Sequence, residues 1–210
     1  DVDLNIVTPL EATNQVINHF KIKSNWPGMQ LLIGGEAEET SQSLKSLAIT
    51  MIVAVVGIYF LLILLFRSLL QPFLVISAIP FSILGVIIAY LLHGTPLSFT
   101  GMLGVIGLAG VVVNDSLVMV DHLNELRSVS PKADLIELVA QGSANRFRAI
   151  VMTTLTTVAG VTPTVYGLGG TDPFMVPMAL SLGYGLVFAT PLILFLVPCS
   201  YMVYVDITNK

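Results

Sequence analysis

The sequence predicts an all-α membrane protein, a bundle of five transmembrane helices preceded by a small α/β segment. The 210 residues are 55% hydrophobic and only 10% charged, with a mean hydropathy of +0.88, whereas soluble domains are typically about a quarter charged. So few charges cannot cover so much apolar surface in water. The apolar residues also form five long runs, and about 20 helical residues cross the roughly 30 Å hydrocarbon layer.

The first 40 residues are predicted to be the remnant of a domain outside the membrane. An alternating apolar segment at 2–6 predicts a strand, a proline and a capping-box glutamate at 8–11 begin a helix that ends near residue 23, and 29–33 predicts a second strand. This β-α-β unit is too small to have its own core. Because the chain begins with neither a methionine nor a signal peptide, we expect it to be a piece of a longer protein.

The remaining residues, 41–210, are predicted to form the transmembrane domain. The five predicted spans cover approximately residues 47–66, 73–92, 99–121, 149–168 and 174–204. Between the third and fourth spans, residues 131–147 predict an amphipathic helix on the cytoplasmic surface.

The loops on the two sides of these spans differ in charge. One side carries six basic residues, Arg67, Arg127, Lys132, Arg146, Arg148 and Lys210, and the short loops on the opposite side carry none. The positive-inside rule therefore predicts a periplasmic N-terminal segment and a cytoplasmic C-terminus.

Composition narrows the chemistry further. A single cysteine, Cys199, lies inside an apolar run, so the sequence has neither a disulfide framework nor a cysteine metal site. No basic patch indicates nucleic acid. We therefore predict no metal site, no cofactor and no nucleic-acid partner.

The third predicted span contains a polar group, Asn114-Asp115-Ser116, within its apolar stretch. A carboxylate at the centre of a membrane helix costs about 2.5–3.5 kcal/mol on insertion scales, so such residues indicate function. We predict a proton-relay or ion-coupling role for Asp115. The alternative is a structural hydrogen bond to another helix.

Glycines and threonines surround this polar group in the predicted bundle. Gly104, Gly107 and Gly110 remove side-chain bulk from the outer half of the third span, which predicts close helix packing. Thr153 and Thr154 lie in the fourth span at a depth similar to that of Asp115, and we predict that they share a polar patch with it. Each threonine taken singly is also explained by a hydrogen bond to its own preceding turn.

A catalytic interpretation of the acidic residues is disfavoured. An intramembrane aspartyl protease would need Asp115 and Asp121 to face each other, and residues six apart on one helix do not. No serine and histidine are placed for nucleophilic catalysis, so we predict no catalytic residue and no enzyme. Asp121 and His122 are predicted to be solvated residues at the membrane boundary. An inert membrane scaffold remains an alternative.

The order of several motifs resembles the resistance-nodulation-cell division (RND) efflux pumps of the acriflavine-resistance, multidrug type. The motifs are Arg67-Ser-Leu-Leu-Gln-Pro72, Ile79-Pro-Phe-Ser-Ile-Leu-Gly85, Gly107-Leu-Ala-Gly-Val-Val-Val-Asn-Asp-Ser116, Arg148-Ala-Ile-Val-Met-Thr-Thr-Leu155 and Gly160-Val-Thr-Pro163. The resemblance covers essentially the whole chain. It implies a C-terminal half-bundle, the eighth to twelfth of twelve spans, after the last part of the periplasmic porter region.

The same resemblance implies a function and partners. The family exports drugs and other solutes across the bacterial inner membrane by proton antiport, as homotrimers in the lipid bilayer. Its partners are a periplasmic adaptor protein and an outer-membrane channel, and this fragment would need the N-terminal half of the same permease. A lipid exporter or a protein-secretion accessory of the same superfamily is the alternative, and the outer domain would distinguish it.

The family's coupling site is only partly matched. In the family, two aspartates of the N-terminal half face a lysine of the third span in this fragment, with a hydroxyl nearby. The lysine position falls on Asn114 and the hydroxyl position on Thr153. An asparagine cannot take up a proton. Asp115 is the natural replacement, although it points about 100° away around the helix.

Overall fold

A computed structural model of the chain describes residues 15–17, 19, 36–131, 133–168, 170 and 172–208. These residues are helical or lie in short connections, and none of them is in a β-strand, which confirms the predicted all-α membrane fold. The two strands predicted within residues 1–40 lie outside the described residues. Residues 15–17 and 19, inside the helix predicted there, are helical.

Six helices account for most of the described chain. They are α1 (Glu36–Phe66), α2 (Gln71–Ile76), α3 (Ala78–His93), α4 (Phe99–Val129), α5 (Leu135–Val165) and α6 (Met175–Thr208). Four stretches are long and apolar enough to cross a membrane: Gln42–Phe66, Gln71–His93, Phe99–Val129 and Met175–Thr208. They contain the first, second, third and fifth predicted spans.

The fourth predicted span differs from the sequence prediction. The surface helix predicted at 131–147 and the span predicted at 149–168 form one continuous helix, α5, which begins after Asp134. Arg146 and Arg148 suggested a boundary, but side-chain polarity does not interrupt the backbone hydrogen bonds of a helix. Helix α5, which contains most of the fourth predicted span, is not among the four stretches that are apolar enough to cross a membrane. Its threonines and Pro163 lower its mean hydropathy.

The second span is bent near one end. Helix α2 ends at Ile76 and α3 begins at Ala78, with Ser77 between them. Pro80 explains the break, since it has no N–H to donate to the carbonyl of Ile76 four residues earlier.

Helices α4 and α6 form the centre of the bundle. Gly104 of α4 lies so close to α6 that an added Cβ would be 2.5 Å from the Met178 carbonyl oxygen and 2.8 Å from Ser181 Cβ. From the other side, Gly185 of α6 lies against Leu108 of α4. Glycine at these positions allows the two backbones to approach.

The register of α4 and α6 is parallel along their whole contact. Gly104 packs on Ser181, Leu108 on Gly185, and Asn124 accepts a hydrogen bond from Tyr201; the members of each pair are 77 residues apart. Helices α3 and α5 flank this central pair, while α1 packs mainly on α2 and α4 at the edge.

Candidate functional site

Asp115 lies inside the bundle rather than on its surface. Its side chain is 6% exposed, and its Oδ2 atom is buried with no hydrogen-bond partner among the described residues. The next residue, Ser116, is fully buried and its hydroxyl is likewise without a partner in the part of the chain that the structure describes. Since buried polar groups are almost always hydrogen-bonded, these two adjacent side chains form an exceptional site.

Asn114 is in a different environment. Its side chain is exposed, as are Gly107, Gly110 and Asp121 on the same side of α4. An added Cβ at Gly107 would approach Leu182 Cδ1 only to 3.9 Å, and one at Gly110 would have no neighbour within 4 Å among the described atoms. Among the described residues, Gly104 therefore makes a close helix contact, whereas Gly107 and Gly110 do not.

The two predicted threonines also differ from each other. Thr154 is buried, and its hydroxyl lies 3.0 Å from the Ile150 carbonyl oxygen and 2.6 Å from Thr190 Oγ1 of α6. Thr190 donates in turn to the Leu186 carbonyl, at 2.8 Å. Thr153 is exposed, and its hydroxyl bonds to its own preceding turn through Ile150 O at 2.8 Å. Sequence reasoning missed Thr190, although it is the only polar residue in its part of α6.

The helix register brings the buried polar residues to one depth. Helices α5 and α6 run antiparallel, because Thr154 meets Thr190 and Val161 meets Gly183. Combined with the parallel register of α4 and α6, this places Thr154 within one helical turn of the depth of Asp115. We use the name polar layer for four of the buried polar side chains at this depth, those on α4, α5 and α6; they are Asp115, Ser116, Thr154 and Thr190.

His122 is less solvated than its sequence position suggested. Its side chain is only 16% exposed, and its Nε2 atom is buried with no partner among the described residues. The other ring nitrogen, Nδ1, lies 3.4 Å from Oε2 of Glu125. The prediction of a solvated boundary residue is therefore wrong for His122, while Asp121 is exposed as predicted.

A second polar cluster joins α2, α4 and α6. Gln71 and Asn124 exchange two hydrogen bonds between their side-chain amides, at 3.1 and 2.9 Å, and the Tyr201 hydroxyl donates to Asn124 Oδ1 at 2.9 Å. Each amide oxygen and nitrogen of the pair is used, so this cluster has the character of a structural link and not of a reactive site.

The positions of the two aspartates of α4 exclude an aspartyl dyad between them. Asp115 is buried in the bundle, whereas Asp121 is exposed on a different side of α4. Two carboxyl groups that share a proton must face each other at close range. The chemistry open to Asp115 is therefore proton or cation binding in a membrane-embedded, water-poor site.

The family model of the AcrB/AcrD/AcrF family matches residues 10–205. The swarming motility protein SwrC of Bacillus subtilis is 27% identical over 180 residues, and the multidrug resistance protein MdtC of Proteus mirabilis is 29% identical over 176 residues. Each alignment covers 84% of this chain and 17% of the relative.

The fold is also similar to that of a solved transporter. The crystal structure of a heavy metal efflux pump superposes with a TM-score of 0.78 and 28% identity, over 91% of this chain and 19% of the pump. The chain thus spans less than a fifth of the length of these relatives. Because the family model covers nearly the whole chain, the chain belongs to the AcrB/AcrD/AcrF family of RND efflux transporters.

Proposed function

We propose that this chain is part of an inner-membrane exporter that couples the efflux of a small solute to proton entry, and that Asp115 binds and releases the proton. The proposal rests on the Oδ2 atom of Asp115, which is buried and has no hydrogen-bond partner among the described residues. The hydroxyl of the next residue, Ser116, is also buried without a partner there. An ionised carboxylate in such a place is costly, whereas a protonated carboxyl is neutral and can donate a hydrogen bond.

Protonation of Asp115 would change which hydrogen-bond partners its side chain requires in the polar layer. The neutral carboxyl can donate a hydrogen bond, whereas the carboxylate can only accept and needs donors or water. The two states therefore favour different packings of α4 against its neighbours. A two-state element of this kind is what converts proton binding into movement.

Asn114 has a different role in this proposal. Asn114 lies on an exposed side of α4 together with Gly107 and Gly110. Because these glycines have no side chains, another helix can pack closely against this side. We assign this face to the N-terminal half of the same permease, which the resemblance to RND pumps implies. Asn114 then supplies hydrogen bonds to that half, and the proton-binding group lies one residue away, inside the bundle.

The rest of the proposal concerns the whole transporter. The names of the relatives point to drugs or metal ions as the exported solute. The basic loops support a cytoplasmic C-terminus and a periplasmic N-terminal segment. A homotrimer working with a periplasmic adaptor and an outer-membrane channel follows from the family alone.

The test is solute transport by the full-length protein in vesicles with an imposed pH gradient, with ethidium and a monovalent copper salt as probes. Asp115→Asn keeps the shape of the side chain and removes the proton site, and transport should fall to the background of empty vesicles. The matched control is Asp206→Asn, which makes the same change at an exposed carboxylate near the end of α6 and should transport normally. Unchanged transport by Asp115→Asn would refute the role of this residue.

The alternative members of the superfamily, a lipid exporter or a protein-secretion accessory, share the half-bundle. In the same vesicles, movement of ethidium or copper ions driven by the pH gradient would exclude both alternatives, since neither is an exporter of such solutes. An inert scaffold would show no response of any probe to the gradient.

A further inference from the structure

We infer that His122 is a second proton-transfer residue, which connects Asp115 to water at the Val129 end of α4 along the seam between α4 and α5. This inference rests on the proposed function, because it assumes that Asp115 exchanges a proton. It assigns a route and a second titratable group to that exchange.

The first observation concerns atoms that lack partners. Within the described residues, four buried side-chain nitrogen or oxygen atoms have no hydrogen bond: Asp115 Oδ2, Ser116 Oγ, His122 Nε2 and Arg146 Nε. Such atoms are rare in folded proteins and are usually satisfied by ordered water. All four belong to α4 and α5, between Asp115 and the end of α4. Their grouping indicates a buried polar seam whose unpaired atoms ordered water would satisfy.

Helical geometry places Asp115 and His122 on this seam together. His122 follows Asp115 by seven residues and precedes Leu126 by four, spacings that keep all three on one face of α4. Leu126 packs on α5, because an added Cβ at Gly142 would be 2.9 Å from Leu126 Cδ1. Leu108, seven residues before Asp115, packs on Gly185 of α6, so this face of α4 meets α6 near its start and α5 near its end. Asp115 and His122 lie between these two contacts, where α4 meets α5 and α6.

Arg146 lies on the opposite wall of the same seam. It follows Gly142 by one turn on the same face of α5, and the antiparallel register of α4 and α5 brings it to the depth of His122. Its guanidinium is permanently charged. A positive charge at this depth disfavours a lasting second charge on the imidazole, so a proton accepted by His122 is passed on.

The ring of His122 is oriented for transfer in one direction. The Glu125 carboxylate, 68% exposed, can only accept a hydrogen bond, so the Nδ1 atom 3.4 Å away carries the hydrogen. In the neutral ring, the buried Nε2 then carries the lone pair and acts as the base. The Nε2 edge of the imidazole thus meets the seam, and the Nδ1 edge lies toward the exposed Glu125.

The proton moves in two successive steps. The O–H bond of the protonated Asp115 carboxyl breaks, and a proton arrives at His122 Nε2 through intervening water, leaving Asp115 ionised. The Nδ1–H bond then breaks, and its proton passes to Glu125 and to bulk water. Seven residues correspond to about 10.5 Å along the helix, a gap that about two or three hydrogen-bonded waters bridge.

Another titratable group at this end of the bundle is engaged elsewhere. Tyr201 of α6 donates its hydroxyl hydrogen to Asn124, which belongs to the cluster with Gln71. Asp121 is exposed on another side of α4. Glu125 on its own helix lies beside His122 by direct contact, and Arg146 on α5 lies level with it by register.

The experiment is infrared spectroscopy of the purified full-length protein in lipid vesicles after transfer from H₂O to D₂O. The carboxyl band that disappears in Asp115→Asn reports the protonated Asp115, and its shift in D₂O measures how fast the proton exchanges. We expect His122→Gln to slow this exchange by at least about tenfold, a modest value for loss of a general base. Asp206→Asn, at an exposed carboxylate near the end of α6, should exchange at the wild-type rate.

Glu125→Gln provides a second variant that does not threaten folding, because this side chain is exposed. It should also slow the exchange, since the amide no longer fixes the hydrogen on Nδ1. Wild-type exchange rates in both His122→Gln and Glu125→Gln would overturn the inference while leaving the role of Asp115 intact. If no carboxyl band depends on Asp115 at any pH at which the protein is folded, the proposed function itself fails.

Discussion

Asn114 and Asp115 are adjacent in the sequence but have opposite environments: the Asn114 side chain is exposed, whereas that of Asp115 is only 6% exposed. The face that carries Asn114 is available to another part of the transporter. The face that carries Asp115 belongs to the interior of this chain. Two consecutive residues, about 100° apart around the helix, thus occupy an interface position and a core position. The two residues can therefore be tested independently.

The first prediction concerns this separation. In the full-length protein, Asn114→Ala should retain more than half of the pH-driven transport, because the asparagine holds no proton, whereas Asp115→Asn should lose it. Initial rates of ethidium transport in vesicles measure both variants. A loss in Asn114→Ala as complete as that in Asp115→Asn would place the essential group on the exposed face instead.

The second prediction concerns the close contact of α4 and α6. Gly104→Ala adds a Cβ that would lie 2.5 Å from a backbone oxygen of α6, and overpacking of this kind costs about 1–3 kcal/mol. The melting temperature of the full-length protein in detergent should therefore fall. Gly57→Ala is the control, since Gly57 on α1 has no described atom within 4 Å of its added Cβ. A melting temperature equal to that of the control would contradict the close approach.

The third prediction separates the two threonines of α5. Thr154→Val removes the 2.6 Å hydroxyl contact with Thr190, and the loss of one hydrogen bond costs about 0.5–1.5 kcal/mol. Thr153→Val removes only a bond to its own helix and should change stability less. Thermal unfolding of the two variants side by side measures the difference. A larger loss in Thr153→Val would show that its hydroxyl has a partner in the N-terminal half.

The sequence was sufficient for the fold and for the one costly residue in it. Hydropathy marks a membrane helix whatever its neighbours are, and a carboxylate in such a helix is conspicuous for the same reason. The continuity of α5 was not predicted, because Arg146 and Arg148 are residues typical of the end of a membrane span. Thr190 and the buried face of His122 were missed because both depend on which sides of α4, α5 and α6 meet, and this is determined by tertiary register and not by local pattern.

The last prediction concerns the open face of α4. If the N-terminal half packs there, a large side chain at Gly110 should block it, although within this chain an added Cβ at Gly110 has no described neighbour within 4 Å. The two halves of the permease, produced as separate chains in one cell, should co-purify, and Gly110→Leu should abolish co-purification without lowering the amount of this chain in the membrane. Gly57→Leu makes the same change on α1 and should leave the association intact. Co-purification that survives Gly110→Leu would mean that the second half docks elsewhere, and the exposed side chain of Asn114 would then face lipid, where an amide is unfavourable.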